Sequence, residues 1–148
     1  LTPGGARILP ISKRQSATDF HFSRVGGTCP LWNVYDAFSN PGKTLTQVAE
    51  MPDGRAYLWI ARMVESSRGG YGAPTKRFAI GLGCDLLHAD RLIYSQGLAL
   101  NDPATRTLIG AGCKVCERAG CPQRAFPSLA KTLVIDDRSS TFAPYSAT

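Results

Sequence analysis

The first third of the chain alternates hydrophobic and polar positions in two different ways. Residues 20–25 alternate with a period of two, which predicts a strand, and the two glycines after them end it. From residue 30 onward the apolar positions recur with helical spacing, and the Asn-Pro-Gly sequence at 40–42 ends that pattern. The predicted helical face comprises Leu31, Val34, Tyr35 and Phe38.

Runs rich in branched and aromatic residues predict three further strands, over residues 45–51, 55–65 and 77–83. A Pro-Asp-Gly turn at 52–54 joins the first two runs. Consecutive apolar residues in the second run predict that its centre is buried on both faces. In the third run, one face carries Phe78, Ile80 and Leu82.

Shorter elements follow. Residues 84–92 predict a short helix with Asp85 near its start, where a carboxylate is favoured. Residues 93–98 and 130–135 predict short strands. Strands and helices do not alternate strictly, so the pattern predicts an α+β fold, an antiparallel sheet with flanking helices.

A chain of 148 residues is about one domain. We expect a connecting segment over 1–17, a ligand-sensing domain over 18–135 that includes a cysteine-rich metal-binding loop over 108–128, and a tail over 136–148. The chain begins without Met, so we expect a piece of a longer protein. It has no run of 18 apolar residues and no secretory signal, so no membrane partner is expected.

The chain carries a net charge of +6. Its basic residues are scattered and form no continuous DNA-binding stripe. The excess charge therefore indicates either an ordinary solvated surface or an anionic ligand.

Three of the five cysteines lie within nine residues, at Cys113, Cys116 and Cys121. Such crowding in a reducing, cytoplasmic location is typical of metal or redox chemistry. Nearby basic residues favour the thiolate form. The alternative is three thiols that share no ligand.

Structural zinc takes four Cys or His ligands, and iron–sulfur clusters are held mostly by Cys, so the residues leave both open. The fourth ligand must come from elsewhere in the chain or be absent. Cys84 is the candidate, ahead of His88 and Cys29.

A second site is predicted where the two glycines enter the first helix. Gly26 and Gly27 expose backbone N–H groups that suit a phosphate or carboxylate, and Arg24 lies beside them. A plain tight turn is the alternative. No catalytic set is evident, so the chain is not expected to be an enzyme.

These motifs together resemble the C-terminal domain of the short-chain fatty-acyl transcriptional regulators, over roughly residues 20 to 131. Within that family they are most similar to the regulators of propionate catabolism through the methylcitrate pathway, although the glyoxylate regulators are close. The motifs are Phe22-x-Arg24-x-Gly26-Gly27-x-Cys29-Pro30-x-Trp32, Met51-Pro52-x-Gly54, Gly83-Cys84-Asp85 and Cys113-x-x-Cys116-Glu117-Arg118-x-x-Cys121-x-Gln123-Arg124-Ala125-x-Pro127.

The resemblance implies a GAF- or PAS-like sensor that binds a short-chain acyl-CoA such as propionyl-CoA. It also implies a 4Fe–4S cluster at Cys113, Cys116 and Cys121, to which we add Cys84. DNA would be bound through an N-terminal helix-turn-helix domain outside this chain, and a homo-oligomer is compatible with it. On the ligand side we expect Arg24, Gly26, Gly27 and Trp32.

Two other functions are weighed against this one. A zinc knuckle that binds nucleic acid would place Lys114, Arg118 and Arg124 on phosphates, with a steep salt dependence. A thiol-redox enzyme would use the C-x-x-C pair, but the third cysteine favours metal binding.

Overall fold

A four-stranded mixed sheet organises the part of the chain that the computed structural model describes, which is residues 28–67, 69–130, 132–135, 138 and 146–147. The predicted strand at 20–25 lies outside these residues. The strands are β1 Thr44–Glu50, β2 Ala56–Ser66, β3 Lys76–Asp85 and β4 Thr107–Leu108, in the order β3-β2-β1-β4.

The first three strands form an antiparallel meander, while β4 runs parallel to the end of β1. All three antiparallel strands were predicted, and their ends differ from the prediction by one or two residues. The turn between β1 and β2 is also confirmed, because Gly54 takes a positive φ of 83° and its N–H donates to the Met51 carbonyl at 2.9 Å. A separate pair, β5 Leu133–Val134 and β6 Ser146–Ala147, is antiparallel.

The predicted helix over 30–39 is shorter than expected. Only α1, Asp36–Ser39, is α-helical, and the residues before it form turns. Side chains from the sheet explain the difference. The Gln47 Nε2 donates to the Leu31 carbonyl at 2.7 Å, and its Oε1 accepts from the Asn33 N–H at 3.0 Å. The Leu31 carbonyl and the Asn33 N–H therefore form hydrogen bonds with a side chain of β1 instead of with the backbone of a helix.

The connection after β3 consists of 3-10 turns. Asp85 caps the first by accepting from the Leu87 N–H at 2.9 Å, as its position predicted. The prediction of a strand over 93–98 was wrong, since successive local hydrogen bonds such as Leu98 N–H to Ser95 O at 3.0 Å curl this segment. The 3-10 helices are Leu86–Arg91, Ile93–Ser95, Pro103–Thr105 and Cys113–Val115.

The two faces of the sheet bury separate clusters because successive side chains of a strand point to opposite sides. On the first face Trp59 is fully buried and Trp32 packs edge-on against it, with ring centroids 4.9 Å apart. On the second face Leu58 and Val48 pack with Ala89. The centre of β2 is therefore buried on both sides, as predicted.

Small residues of β3 make room for this core. A Cβ added at Gly83 would lie 2.5 to 2.8 Å from three ring atoms of Trp59, and one at Gly81 would lie 2.8 Å from Val34 Cγ1. The large residues of β3 point the other way, and Ile80 and Leu82 are 47% and 63% exposed. The inner face of this edge strand is thus built from its smallest residues.

The predicted α+β class is confirmed by this mixed arrangement of one sheet and short helices. Among the described residues, no helix has the length and apolar character needed to cross a membrane.

Candidate metal centre

Four cysteines line one small cavity at the end of the sheet. Cys113 begins a 3-10 turn shortly after β4, Cys116 follows that turn, and Cys121 lies in the next loop. The fourth is Cys29, from the turns that precede α1. All four are free thiols, as is Cys84. The cavity therefore brings together thiols from two segments that are far apart in sequence.

Cys29 reaches the cavity from the first face of the sheet, where it belongs to the cluster around Trp59. Its side chain is only 7% exposed. Burial raises the pKa of its thiol, hydrogen bonds from the Gly110 and Leu31 backbone oppose the rise, and the neighbouring Cys113 and Cys121 add to it. A cationic partner at this position would therefore relieve the cost of forming a thiolate.

Cys84, the expected fourth ligand, does not lie with the other cysteines. It pairs with Leu58 across β2 and β3, and paired residues share a face of the sheet. Leu58 belongs to the second face, whereas Cys29 belongs to the first. The sheet separates Cys84 from the cavity, and the structure places Cys29 there instead. His88, the other alternative, is exposed on the 3-10 helix Leu86–Arg91.

Two arginines hold the cysteine loop by its backbone. Arg124 Nη1 donates to the carbonyls of Cys113 and Cys116 at 3.3 and 3.4 Å. Its Nη2 donates to the carbonyl of Arg118. Arg118 Nη2 in turn donates to the carbonyl of Glu50 at 3.1 Å. Arg118 and Arg124 both line the cavity, so two basic residues lie beside the four cysteines.

Backbone groups also approach the sulfurs. The Ala125 N–H donates to Cys113 Sγ at 3.4 Å, a contact typical of thiolates that bind metal clusters. Gly110 allows Cys116 to come close, since a Cβ there would lie 2.6 Å from Cys116 Sγ. The loop therefore needs glycine at this position for a steric reason.

The donor set of four cysteines from two segments fits a thiolate-bound metal group. The cavity measures about 10 Å³, roughly the space of one water molecule. Within residues 28–67, 69–130 and the shorter described pieces, no three or more His, Cys, Asp or Glu side chains are already arranged as a metal site.

A Gly110→Ala substitution tests this packing. We expect at least about a tenfold loss of metal affinity, because the new methyl group would displace Cys116 and even changes beyond the ligands cost about 10–100-fold. Metal affinity would be measured by competition with a chelator. Gly70→Ala is the control, because no atom lies within 4 Å of its added Cβ. Wild-type affinity in Gly110→Ala would show that the loop accommodates the methyl group without disturbing the site.

The residues expected on the ligand side do not gather into a site that the structure describes. Arg24, Gly26 and Gly27 lie outside the described residues. Trp32 is 4% exposed and packs on Trp59 in the core. Its described role is therefore packing.

An open groove of about 650 Å³ runs beside β1, which is in the size range of ligand sites. It separates the segment around α1 from residues 97–99 and the start of β4. Its described lining is rich in amide and hydroxyl groups, with Asp36 as the one charged side chain. The lining residues are Asn33, Asp36, Asn40, Leu45, Thr46, Gln47, Val48, Gly97, Leu98, Ala99, Thr105 and Thr107.

Comparison with known proteins places these features in a family. A sequence model described as the C-terminal region of short-chain fatty acyl coenzyme A regulators matches residues 10–145. The chain is 65% identical over 137 residues to the HTH-type transcriptional regulator RamB of Mycobacterium tuberculosis. It is 56% identical over 138 residues to the regulator PrpR of the same species. It is 48% identical over 135 residues to a propionyl-CoA carboxylase regulator of Cereibacter sphaeroides.

These relatives each match 91–93% of this chain, but the chain spans only 28–29% of their length. A solved structure of a Mycobacterium tuberculosis transcriptional regulator superposes with a TM-score of 0.77 at 56% identity. That match covers 88% of this chain and 40% of the other. The expectation that this is not an enzyme is confirmed, because the relatives are named as regulators. The chain belongs to the short-chain fatty acyl coenzyme A regulators and carries their C-terminal region.

Proposed function

We propose that this chain is the sensor region of a cytoplasmic transcription regulator, with a thiolate-bound 4Fe–4S cluster and a short-chain acyl-CoA as effector. The observation that carries the proposal is the meeting of four thiols from two distant segments at one cavity. DNA binding is assigned to an N-terminal helix-turn-helix domain, in keeping with relatives named as HTH-type regulators.

The metal ligands in this proposal are Cys29, Cys113, Cys116 and Cys121. Four thiolates are the usual ligand set of a 4Fe–4S cluster, and a single zinc ion takes the same set. The amide at Cys113 Sγ and the two guanidinium groups would offset the negative charge of thiolates. When bound, the cluster would supply a group that can accept and release an electron. The protein residues would hold the cysteine loop on the sheet.

Metal analysis of anaerobically purified protein decides between the two metals. We expect iron and sulfide together with a broad absorption band near about 400 nm. About one zinc per chain in a colourless protein would instead support a structural site. It would leave acyl-CoA sensing to be judged on binding alone.

The groove beside β1 is our candidate for the acyl-pantetheine arm of the effector. Its amide and hydroxyl lining suits the amides of that arm, and its apolar residues suit a short acyl chain. The phosphates of CoA need cations, which this lining does not provide among the described residues. Arg24 and the amides of Gly26 and Gly27 are proposed for that part, and the net charge of +6 supports an anionic ligand.

Titration calorimetry with propionyl-CoA tests the effector. We expect saturable heat with the wild-type protein, and an affinity at least about tenfold lower for Thr46→Trp, because the indole ring would fill the groove. Thr75→Trp is the matched control, since Thr75 is exposed and does not line the groove. Absence of heat with the metal-loaded wild type would contradict acyl-CoA binding. Equal affinities for the two variants would contradict the groove as its place.

The nucleic-acid alternative has less support in the structure. It requires Arg118 and Arg124 on phosphates, but both donate to backbone carbonyls. Lys114 lies 5.4 Å above the ring of Phe126. A gel shift with this chain should therefore show no tight binding of DNA.

A further inference from the structure

The C-terminal end of β1 is held at three points around one residue. The carboxylate of Glu50 pairs with Arg106 Nη1 at 3.0 Å, and both side chains are mostly buried. The carbonyl of Glu50 accepts from the Ile109 N–H at 3.0 Å and from Arg118 Nη2 at 3.1 Å. This end of the sheet is where β4 leads into the cysteine loop.

Arg118 joins both strand ends with one nitrogen. Besides the Glu50 carbonyl, its Nη2 donates to the carbonyl of Ile109 at 3.3 Å. Glu50 ends β1, and Ile109 directly follows β4. Because Arg118 itself lies between Cys116 and Cys121, it fastens the middle of the cysteine loop to the sheet.

A second nitrogen of the same side chain lacks an acceptor among the described residues. Arg118 Nε is buried and has no hydrogen-bond partner among the described residues. A buried donor without an acceptor is costly and is usually explained by a group that completes it. Arg118 also lines the thiol cavity. A sulfur atom of a group bound in that cavity could therefore accept this hydrogen bond.

We propose that Arg118 is a positioning residue that links the thiol cavity to the ends of β1 and β4. Its Nη2 fastens the loop to the sheet, and its Nε–H donates to a sulfur of the group that the cysteines hold. The second half rests on the proposed function, whereas the first does not. One guanidinium group thereby contacts both the thiol cavity and the two strand ends.

Arg124 provides a contrast within the same loop. Its described hydrogen bonds go to the carbonyls of Cys113, Cys116 and Arg118, all inside the loop. Arg124 therefore stabilises the conformation of the cysteine loop, whereas Arg118 connects that loop to the sheet. Substitution at the two positions should have different effects on the sheet.

The test compares Arg118→Gln and Arg118→Lys with Arg124→Gln, and uses Arg62→Gln, an exposed residue of β2, as control. In metal-free protein, hydrogen exchange at the Ile109 amide should accelerate by about fivefold in both Arg118 variants, since one hydrogen bond contributes about 1 kcal/mol. Arg118→Lys keeps the charge, but its ammonium nitrogen ends one bond short of the position of Nη2, so its hydrogen bonds to the two carbonyls are weakened. The Arg124 and Arg62 variants should exchange at this amide like the wild type.

In protein reconstituted with iron and sulfide, both Arg118 variants should show a more negative midpoint potential, because both lose the Nε–H donor to sulfur, and hydrogen bonds to sulfur favour the reduced state. Wild-type exchange at Ile109 in both Arg118 variants would overturn the link to the sheet. An unchanged potential would overturn the hydrogen bond to sulfur. A wild type that takes up no iron would overturn that second half together with the proposed cluster, while the exchange experiment still decides the first.

Discussion

Replacing Cys29 by serine is expected to abolish most binding at the proposed metal centre. A serine hydroxyl is a poor ligand for iron or zinc compared with a thiolate, and the other three thiols cannot complete the set. We expect at least about a tenfold loss of metal affinity, since changes at residues that only support the ligands already cost about 10–100-fold. Iron, sulfide and zinc per chain are the measurements.

Cys84→Ser is the matched control for this prediction. Cys84 is a partly buried thiol on the opposite face of the sheet, and its Sγ donates to the Asp85 carbonyl, which a serine hydroxyl can also do. We expect its metal content to equal that of the wild type. Loss of metal in Cys84→Ser with retention in Cys29→Ser would reverse our assignment of the fourth ligand.

Gly83→Ala is expected to destabilise the fold by about 1–3 kcal/mol, the usual cost of overpacking a core. Its methyl group would lie 2.5 to 2.8 Å from three atoms of the Trp59 ring. Trp59 is fully buried against Trp32, so the indole ring has little room to shift. The midpoint of urea unfolding, with the slope checked for constancy, measures the change.

Gly70→Ala serves as the control for this stability prediction as well. Its added Cβ has open space around it. We expect a change within about 0.5 kcal/mol, or a stabilisation of up to about 1 kcal/mol through the less flexible unfolded chain. Equal stability of the two variants would mean that β3 can move away from Trp59 at little cost.

The strands were predictable because their signals are local. The run of β2 and the turn at Gly54 each specify backbone conformation within a few residues, and the structure confirms both. The short α1 was not predictable from periodicity, since Gln47, on a different element, takes the backbone groups that a longer helix would use. The two-residue β4 has no pattern of its own and exists because it lies beside β1.

The candidate site shows the same division. The three clustered cysteines were recognisable by spacing, and the structure brings them to one cavity. The fourth was not, because the spacing in the sequence does not show on which face of the sheet Cys29 and Cys84 lie. Alternation along β3 could have shown that Cys84 shares a face with Ile80 and Leu82, but only the pairing with β2 reveals which face holds the cavity.

The position of Cys29 ahead of β1 has a consequence for how the protein is made. The ribosome releases Cys29 before any strand of the described sheet, and it releases the other three thiols only after β4. Between these moments the nascent chain exposes an incomplete ligand set. A group that needs all four thiols can therefore be inserted only late, after the sheet has been synthesised. Metal content would then indicate that assembly has been completed. If the metal were scarce, the segment of Cys29 and the cysteine loop would lack the metal that joins them.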